Sequence, residues 1–261
     1  MGGRGLKLGL GGTVVVLVLS VLSGRNLFDT LGISPAGTTA EAPAGPDPER
    51  KAGEAELEKV AIGSFEDAQK VFASKISNYQ DATLVLFWDG TASGCGDASA
   101  NMGPFYCPLD QKVYIDLGFY DQLAKRFGAP GDFAQAYVIA HEVGHHVQHL
   151  MGTDTKMRQM QQRDPSSANA LSVLLELQAD CYSGVWGKTA ADRHLLDPGD
   201  LEEALGAAAA VGDDKIQKQT SGRVRPDSFT HGTADQRAKW YRRGFEAGAF
   251  EACDTFAAGA M

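Results

Sequence analysis

The pattern H-E-x-x-H, formed by His141, Glu142 and His145, is the feature that most constrains this chain of 261 residues. It lies in AYVIAHEVGHHVQHLMG, where apolar residues recur at helical spacing. On a helix, the two histidines lie about 40° apart around the axis and about 6 Å apart along it. Both imidazoles can then reach one Zn²⁺ ion. The motif therefore predicts a helix with a metal-binding face.

Glu142 is expected to have a different role from the two histidines. It lies about 100° around the helix from His141, beside the ligands and not among them. A carboxylate in that position can act as the general base toward the water that attacks a peptide bond. The same pattern also occurs by chance on amphipathic helices that bind nothing, so the motif alone leaves a solvated polar stripe as the alternative.

A second segment, SANALSVLLELQADCYSGVW, supplies a candidate for the third ligand. Glu176 and Asp180 are four residues apart there and share one face of a predicted helix. A catalytic zinc site needs three protein ligands and an open fourth position, and Glu176 can complete that set. Asp180 can accept the distal N–H of a ligand histidine and fix its tautomer. Together the two helices predict a zinc site held by His141, His145 and Glu176.

The wider sequence resembles the bacterial family known as the "putative neutral zinc metallopeptidases", which belongs to the zincin-like superfamily. The resemblance is carried by the two segments above and by MGPFYCPLDQKVYIDLGFYDQL, AVGDDKIQ and DSFTHGTADQRAKWYRRGFEAG. It implies an α+β, zincin-like metallopeptidase domain that is mainly helical and has a small sheet. It also implies hydrolysis of peptide bonds in a protein or peptide substrate, without identifying that substrate.

Two other functions stay open on the sequence alone. A cell-wall peptide amidase would use the same metal and the same residues. A metal-stabilised chaperone or adaptor would turn nothing over, and it would have no use for a general base at Glu142. The formal net charge of −9 is spread along the chain, which argues against nucleic acid as a partner.

His231 is the candidate for a second catalytic role, because it lies in a turn before a predicted helix, in DSFTHGTADQR. A peptidase needs a donor that stabilises the oxyanion formed when water attacks the carbonyl group. Arg237 is a competing donor, and a helix-entry histidine bonded to nearby backbone is the non-catalytic alternative. His146 lies about 140° around the helix from His141, so it cannot join the same metal; a structural role, or a role in supporting a ligand, is expected.

The four cysteines allow three disulfide connectivities. Locality and the family resemblance favour Cys95–Cys107, which would pin a loop rich in glycine and alanine. They also favour Cys181–Cys253, which would hold the C-terminal segment against the helix that carries Glu176.

The N-terminus predicts a membrane location. Basic residues precede an apolar run at residues 8–22, whose length lies between that of a signal-peptide core and that of a short membrane span. We expect an uncleaved, single-pass signal anchor within residues 1–33, with an extracytoplasmic catalytic domain; cleavage to a secreted protein is the alternative. Residues 34–57 are expected to form a disordered linker, which leaves residues 58–261 for the zinc metallopeptidase domain.

The remaining patterns predict the secondary structure of this domain. Strands are expected at residues 83–88 and 112–116. The family resemblance suggests that the second, KVYID, lies at the edge of the cleft, where a substrate can add as another strand. Helices are expected at residues 64–76, 118–127, 132–151, 167–187, 199–212 and 234–247.

Overall fold

The computed structural model of the chain describes residues 48–99 and 102–257. The described residues from Ala52 onward belong to one compact unit. The predicted anchor and most of the predicted linker lie outside the described residues. Residues 48–57, which were expected to be disordered, instead begin the helix α1 (Pro48–Ala73). The domain boundary at residue 58 stays a prediction.

The predicted membrane location needs correction. Within residues 48–99 and 102–257, no helix is both long enough and apolar enough to cross a bilayer. The apolar run at residues 8–22, on which the prediction depended, lies outside the described part of the chain. The expectation of a single-pass anchor with an extracytoplasmic domain is contradicted by this finding.

Helices dominate the described residues, which confirms the mainly helical α+β class expected from the sequence. Besides α1, they are α2 (Gly118–Lys125), α3 (Asp132–Leu150), α4 (Thr153–Arg163), α5 (Ala168–Asp192), α6 (Asp200–Ala210), α7 (Asp213–Ser221) and α8 (Ala234–Ala247). Short 3₁₀ turns cover Pro165–Ser167, Pro226–Ser228 and Phe250–Cys253.

The strands form a small mixed sheet and a separate hairpin. They are β1 (Thr83–Phe87), β2 (Gly90–Ser93), β3 (Gly96–Ser99), β4 (Phe105–Cys107) and β5 (Lys112–Asp116). In the sheet, β5 pairs with β1 in parallel and with β4 antiparallel, in the order β1-β5-β4. Strands β2 and β3 form the hairpin.

The prediction that β5 lies at the edge of the cleft is wrong. It is the central strand of the sheet, and its residues from Val113 to Asp116 are buried on both faces, as is typical of a strand between two neighbours. The edge strand beside α3 is β4, which supplies Phe105 and Tyr106 to the cleft.

Helices α5 and α8 cross closely because two glycines lie at their contact. A Cβ atom on Gly184 would lie 2.1 Å from the carbonyl oxygen of Tyr241, and one on Gly244 would lie 1.9 Å from that of Cys181. Neither approach is compatible with a side chain. The crossing holds α8 against the part of α5 that carries Asp180.

Both disulfides expected from the sequence and the resemblance are present. Cys95–Cys107 ties the hairpin to the end of β4. Cys181–Cys253 ties the middle of α5 to the C-terminal 3₁₀ turn.

Candidate metal centre and cleft

The side chains of His141, His145 and Glu176 converge between α3 and α5. One ligand atom from each lies within 4.8 Å of the others. The Nε2 atom of His141 is 3.2 Å from Oε2 of Glu176, and Nε2 of His145 is 3.4 Å from Oε1. Helix α3 presents the histidines one turn apart, and α5 brings the carboxylate to them from the facing helix.

These distances fit a zinc ion. Ligand atoms about 2.0–2.1 Å from a tetrahedral Zn²⁺ lie about 3.3 Å from one another. The two observed separations between imidazole nitrogens and carboxylate oxygens lie on either side of that value. Two neutral imidazoles and one carboxylate are also a donor set found at catalytic zinc sites with an open fourth position.

Asp180 holds His141 from the side away from Glu176. Its Oδ1 lies 2.9 Å from Nδ1 of His141, so the imidazole donates from Nδ1 and keeps the Nε2 lone pair for a metal. The same carboxylate accepts a hydrogen bond from the hydroxyl of Tyr137 at 2.6 Å. It also accepts from Nε and Nη2 of Arg237, at 2.8 and 2.9 Å.

The charges in this cluster set the protonation of its members. Burial raises the pKa of Asp180, but the Arg237 guanidinium and His141 lower it by more. The net pKa is below the ordinary value, so this carboxyl group is ionised. Burial lowers the pKa of His141, while Asp180 and Glu176 raise it, to about 10. Burial likewise raises the pKa of Glu176, and the two histidines bring it well below its ordinary value. Glu176 is therefore ionised, as a metal ligand has to be, and a proton would compete with a metal ion for His141.

Glu142 lies in the cleft wall beside this cluster. Its side chain is almost fully buried, and burial raises its pKa above the ordinary value, although His141 and His145 oppose the shift. A buried carboxylate with a raised pKa accepts a proton more readily than an exposed one.

The cleft has a volume of about 650 Å³ and an apolar wall. That wall is formed by β4, by α2 and the segment that follows it, and by α3, through Phe105, Phe119, Phe127 and Val138. Val138 is one helical turn before Glu142, so the apolar surface begins beside the candidate base.

His146 lies on α3 but contacts the sheet and not the metal cluster. Its Nδ1 accepts a hydrogen bond from the hydroxyl of Tyr106 at 3.0 Å, and its Nε2 donates to the carbonyl of Gln80 at 2.6 Å. This buried histidine therefore ties the edge strand β4 to α3.

His231 lines the cleft, and its side chain is half exposed. The carboxylate of Asp213 accepts from the backbone N–H groups of Thr230, His231 and Gly232, and its Oδ1 lies 3.2 Å from Nδ1 of His231. The hydrogen bond to Asp213 is the largest cause of a raised pKa at His231. Nδ1 donates to this carboxylate, so in the imidazolium form Nε2–H is a second ring donor that the described hydrogen bonds do not use.

Arg237, the competing oxyanion donor, also lines the cleft, but its shortest hydrogen bonds go to other protein groups. It is buried, two of its nitrogens donate to Asp180, and Nη1 lies 3.3 Å from the carbonyl of Val211. Sequence reasoning missed both this ion pair and the contact between Asp213 and His231. Neither leaves a local signal, because each joins segments that are distant in the chain.

A second acidic group, formed by Asp132, Asp200 and Glu203, lies at the start of α3. Oε2 of Glu203 accepts a hydrogen bond from the backbone N–H of Phe133 at 3.3 Å. Negative charge at a helix N-terminus is stabilising, so a helix cap accounts for this cluster without a metal.

Comparisons with known proteins point in the same direction as the geometry. The family described as "Putative neutral zinc metallopeptidase" matches residues 1–256. "Uncharacterized protein YpfJ" of Escherichia coli (strain K12) is 45% identical over 260 residues, covering 98% of this chain and 91% of that protein. "Uncharacterized protein Rv2575" of Mycobacterium tuberculosis is 43% identical over 210 residues, covering 76% and 70%. No solved structure matches the chain.

Proposed function

This chain belongs to the neutral zinc metallopeptidase family, and on that basis we propose that it is a zinc-dependent endopeptidase. The family implies zinc as the cofactor. The observation that carries the proposal is the convergence of His141, His145 and Glu176 beside the buried carboxylate of Glu142, in a cleft of about 650 Å³. We assign zinc to the first three residues and the general base to Glu142.

The proposed reaction is the addition of water to a peptide carbonyl, followed by loss of the amine. When bound, zinc supplies Lewis-acid chemistry that polarises the reacting groups. Glu142 accepts one proton of the attacking water as the C–O bond forms, and it returns that proton to the leaving nitrogen as the C–N bond breaks. Asp180 keeps His141 in the tautomer that binds metal through Nε2.

His231 is the proposed oxyanion donor. It lines the same cleft, its Nδ1 donates to Asp213, and in the imidazolium form Nε2–H is available to the substrate. The raised pKa favours the imidazolium form, which donates more strongly to a developing negative charge than a neutral ring does.

The apolar wall favours a protein or peptide substrate over a cell-wall peptide. Phe105, Phe119 and Phe127 present aromatic surface to the cleft. An aromatic surface favours binding of substrates with apolar side chains, which are then buried against it. Such side chains are more frequent in proteins than in cell-wall peptides, whose residues are mostly small or charged.

Digestion of three substrates by the zinc-loaded, full-length protein tests the proposal. We expect cleavage of casein and of a mixed peptide library at internal bonds, read by mass spectrometry as new termini. Release of peptides from peptidoglycan with no cleavage of casein would favour the amidase. If zinc-loaded protein cleaves none of the three, the peptidase proposal is contradicted and an adaptor role gains support.

The pH profile of kcat tests His231. Because the imidazolium form is the proposed donor and its pKa is raised, activity is present at lower pH and is lost as the pH rises through that pKa. Asp213→Asn removes the charge that raises the pKa, so this alkaline loss should move to lower pH. His231→Phe should lower kcat by about 10²–10³ while bound zinc is unchanged.

Asp214→Asn is the matched control for the pH experiment. Asp214 is next to Asp213 on α7, but its carboxylate accepts from the backbone N–H of Ala234. Its replacement should therefore leave the alkaline loss of activity near the pH at which the wild type shows it. An unmoved alkaline loss in Asp213→Asn, or an undiminished kcat in His231→Phe, would remove His231 from the mechanism.

A further inference from the structure

We propose that Gln148 and Gln178 are positioning residues that hold His145 in its metal-binding orientation and connect it to the C-terminal segment. We call the two side chains the glutamine relay. The relay ends at the carbonyl of Cys253, which the disulfide to Cys181 fixes. The inference rests on the proposed zinc site, and it assigns part of that site to residues far from the motif.

The contacts of Gln148 determine which way its amide points. Its Nε2 donates to the carbonyl of Leu175 at 2.7 Å and to Oε1 of Gln178 at 3.1 Å. Both protons of the amide group are thus used on acceptors, so Oε1 is the atom that faces His145. Oε1 lies 2.8 Å from Nδ1 of His145, which must therefore donate. The lone pair of this histidine is then on Nε2, the atom that faces Glu176.

Gln178 continues the chain of hydrogen bonds toward the C-terminus. Its Nε2 donates to the carbonyl of Cys253 at 3.0 Å. Three hydrogen bonds therefore run in one direction, from His145 through both amides to a backbone carbonyl. Gln148 is fully buried and Gln178 is nearly so, and hydrogen bonds in series strengthen one another where water is excluded. The series makes Gln148 a better acceptor and its histidine a better ligand.

The C-terminal segment is held against the same turns of α5 that carry Glu176. Cys253 is bonded to Cys181, and the hydroxyl of Thr255 donates to the carbonyl of Leu174 at 2.6 Å. Thr255 is almost fully buried. The end of the relay and the proposed carboxylate ligand are therefore fixed to one stretch of helix. Loss of the contact between Gln178 and the C-terminal segment should lower the affinity for zinc.

Zinc affinity of full-length variants tests the relay, measured by competition with a chromophoric chelator at one pH. Gln148→Leu should raise the zinc Kd by about 10–100-fold, the range found when a hydrogen-bond partner of a ligand histidine is removed. Gln178 contacts none of the proposed ligands, so Gln178→Leu should also raise the zinc Kd, but by a smaller factor than Gln148→Leu. Gln148→Glu keeps an acceptor for Nδ1–H, so it should bind zinc more tightly than Gln148→Leu. The absorption spectrum of the Co²⁺-substituted protein gives a second readout, because it reports ligand geometry and not stability.

Removal of each disulfide provides a matched pair. The double variant Cys181→Ala/Cys253→Ala should raise the zinc Kd, and adding Gln178→Leu should raise it little further, since both changes break one path. The double variant Cys95→Ala/Cys107→Ala also loses a disulfide, but it should keep the zinc Kd of the wild type. Circular dichroism of the metal-free proteins identifies any variant that is unfolded.

The outcomes separate the relay from the peptidase proposal. If folded Gln178→Leu and folded Cys181→Ala/Cys253→Ala both keep the wild-type zinc Kd and Co²⁺ spectrum, the relay is overturned. An equal rise in Kd for the two disulfide variants also overturns it. A wild type that binds zinc but cleaves no peptide contradicts the proposed function, and the comparison of zinc affinities still decides the relay.

Discussion

Replacing Glu142 by Gln lowers kcat for peptide cleavage by about 10²–10⁴ while the protein keeps its zinc. Gln has the same shape but cannot accept the proton of the attacking water. Glu142 also lies outside the ligand cluster, so its replacement removes no donor from the metal. The measurement is bound zinc per chain together with kcat on a peptide that the wild type cleaves.

Two comparisons make this result specific. Glu176→Ala removes a proposed ligand, so it should lose zinc and turnover together. Glu66→Gln changes an exposed carboxylate on α1 that pairs with Lys70, and it should leave both quantities unchanged. A Glu142→Gln protein that cleaves peptides at the wild-type rate would contradict the mechanism.

Replacing Arg237 by Met lowers the free energy of unfolding by about 3–5 kcal/mol. The guanidinium makes two hydrogen bonds to Asp180, and both side chains are buried. Its removal leaves the Asp180 charge buried without its cation. Denaturant unfolding of the metal-free protein measures the change, so that zinc binding adds nothing to the measured stability.

A double-mutant cycle identifies the cause of this loss. Asp180→Asn removes the buried, unpaired negative charge. The double variant Asp180→Asn/Arg237→Met should therefore recover part of the stability lost in Arg237→Met. Arg242→Met, an exposed change on the same helix, should cost about 0.5 kcal/mol or less. Equal losses in the single and double variants would show that packing, and not the unpaired charge, sets the cost.

The helix that carries His141 and His145 was predictable almost to the residue. It was expected at residues 132–151 and is observed at Asp132–Leu150, because its apolar residues repeat at helical spacing over its whole length. The next long helix, α5, was expected to end at Gly187 but continues to Asp192. Gly184 and Gly187 lie near the expected end, and in the structure they allow the close approach of α8.

Several elements had no readable signal. The edge strand β4 has three residues, too few for an alternating pattern. Helices α4 and α7 are rich in polar residues, and their sequences lack a broad apolar face. The central position of β5 depends on its pairing with β1 and β4, which local sequence does not specify.

The candidate ligands could be chosen from the sequence, but most of the contacts that support them could not. His141, His145 and Glu176 follow helical spacing on two segments, so their convergence could be expected. Gln148 lies one turn after His145 on the same helix and did offer a local signal. Asp213, by contrast, reaches His231 from another element, and only the tertiary fold shows that contact.

Back-titration of metal-free protein with zinc is the most direct test of the central claim. The full-length chain is stripped with a chelator and then given increasing zinc, while bound metal and peptide cleavage are measured in the same samples. The proposed site predicts no cleavage without metal and a linear rise that ends at about one zinc per chain. Cleavage that persists in the stripped protein, or zinc that binds in full without any cleavage, would contradict a zinc peptidase.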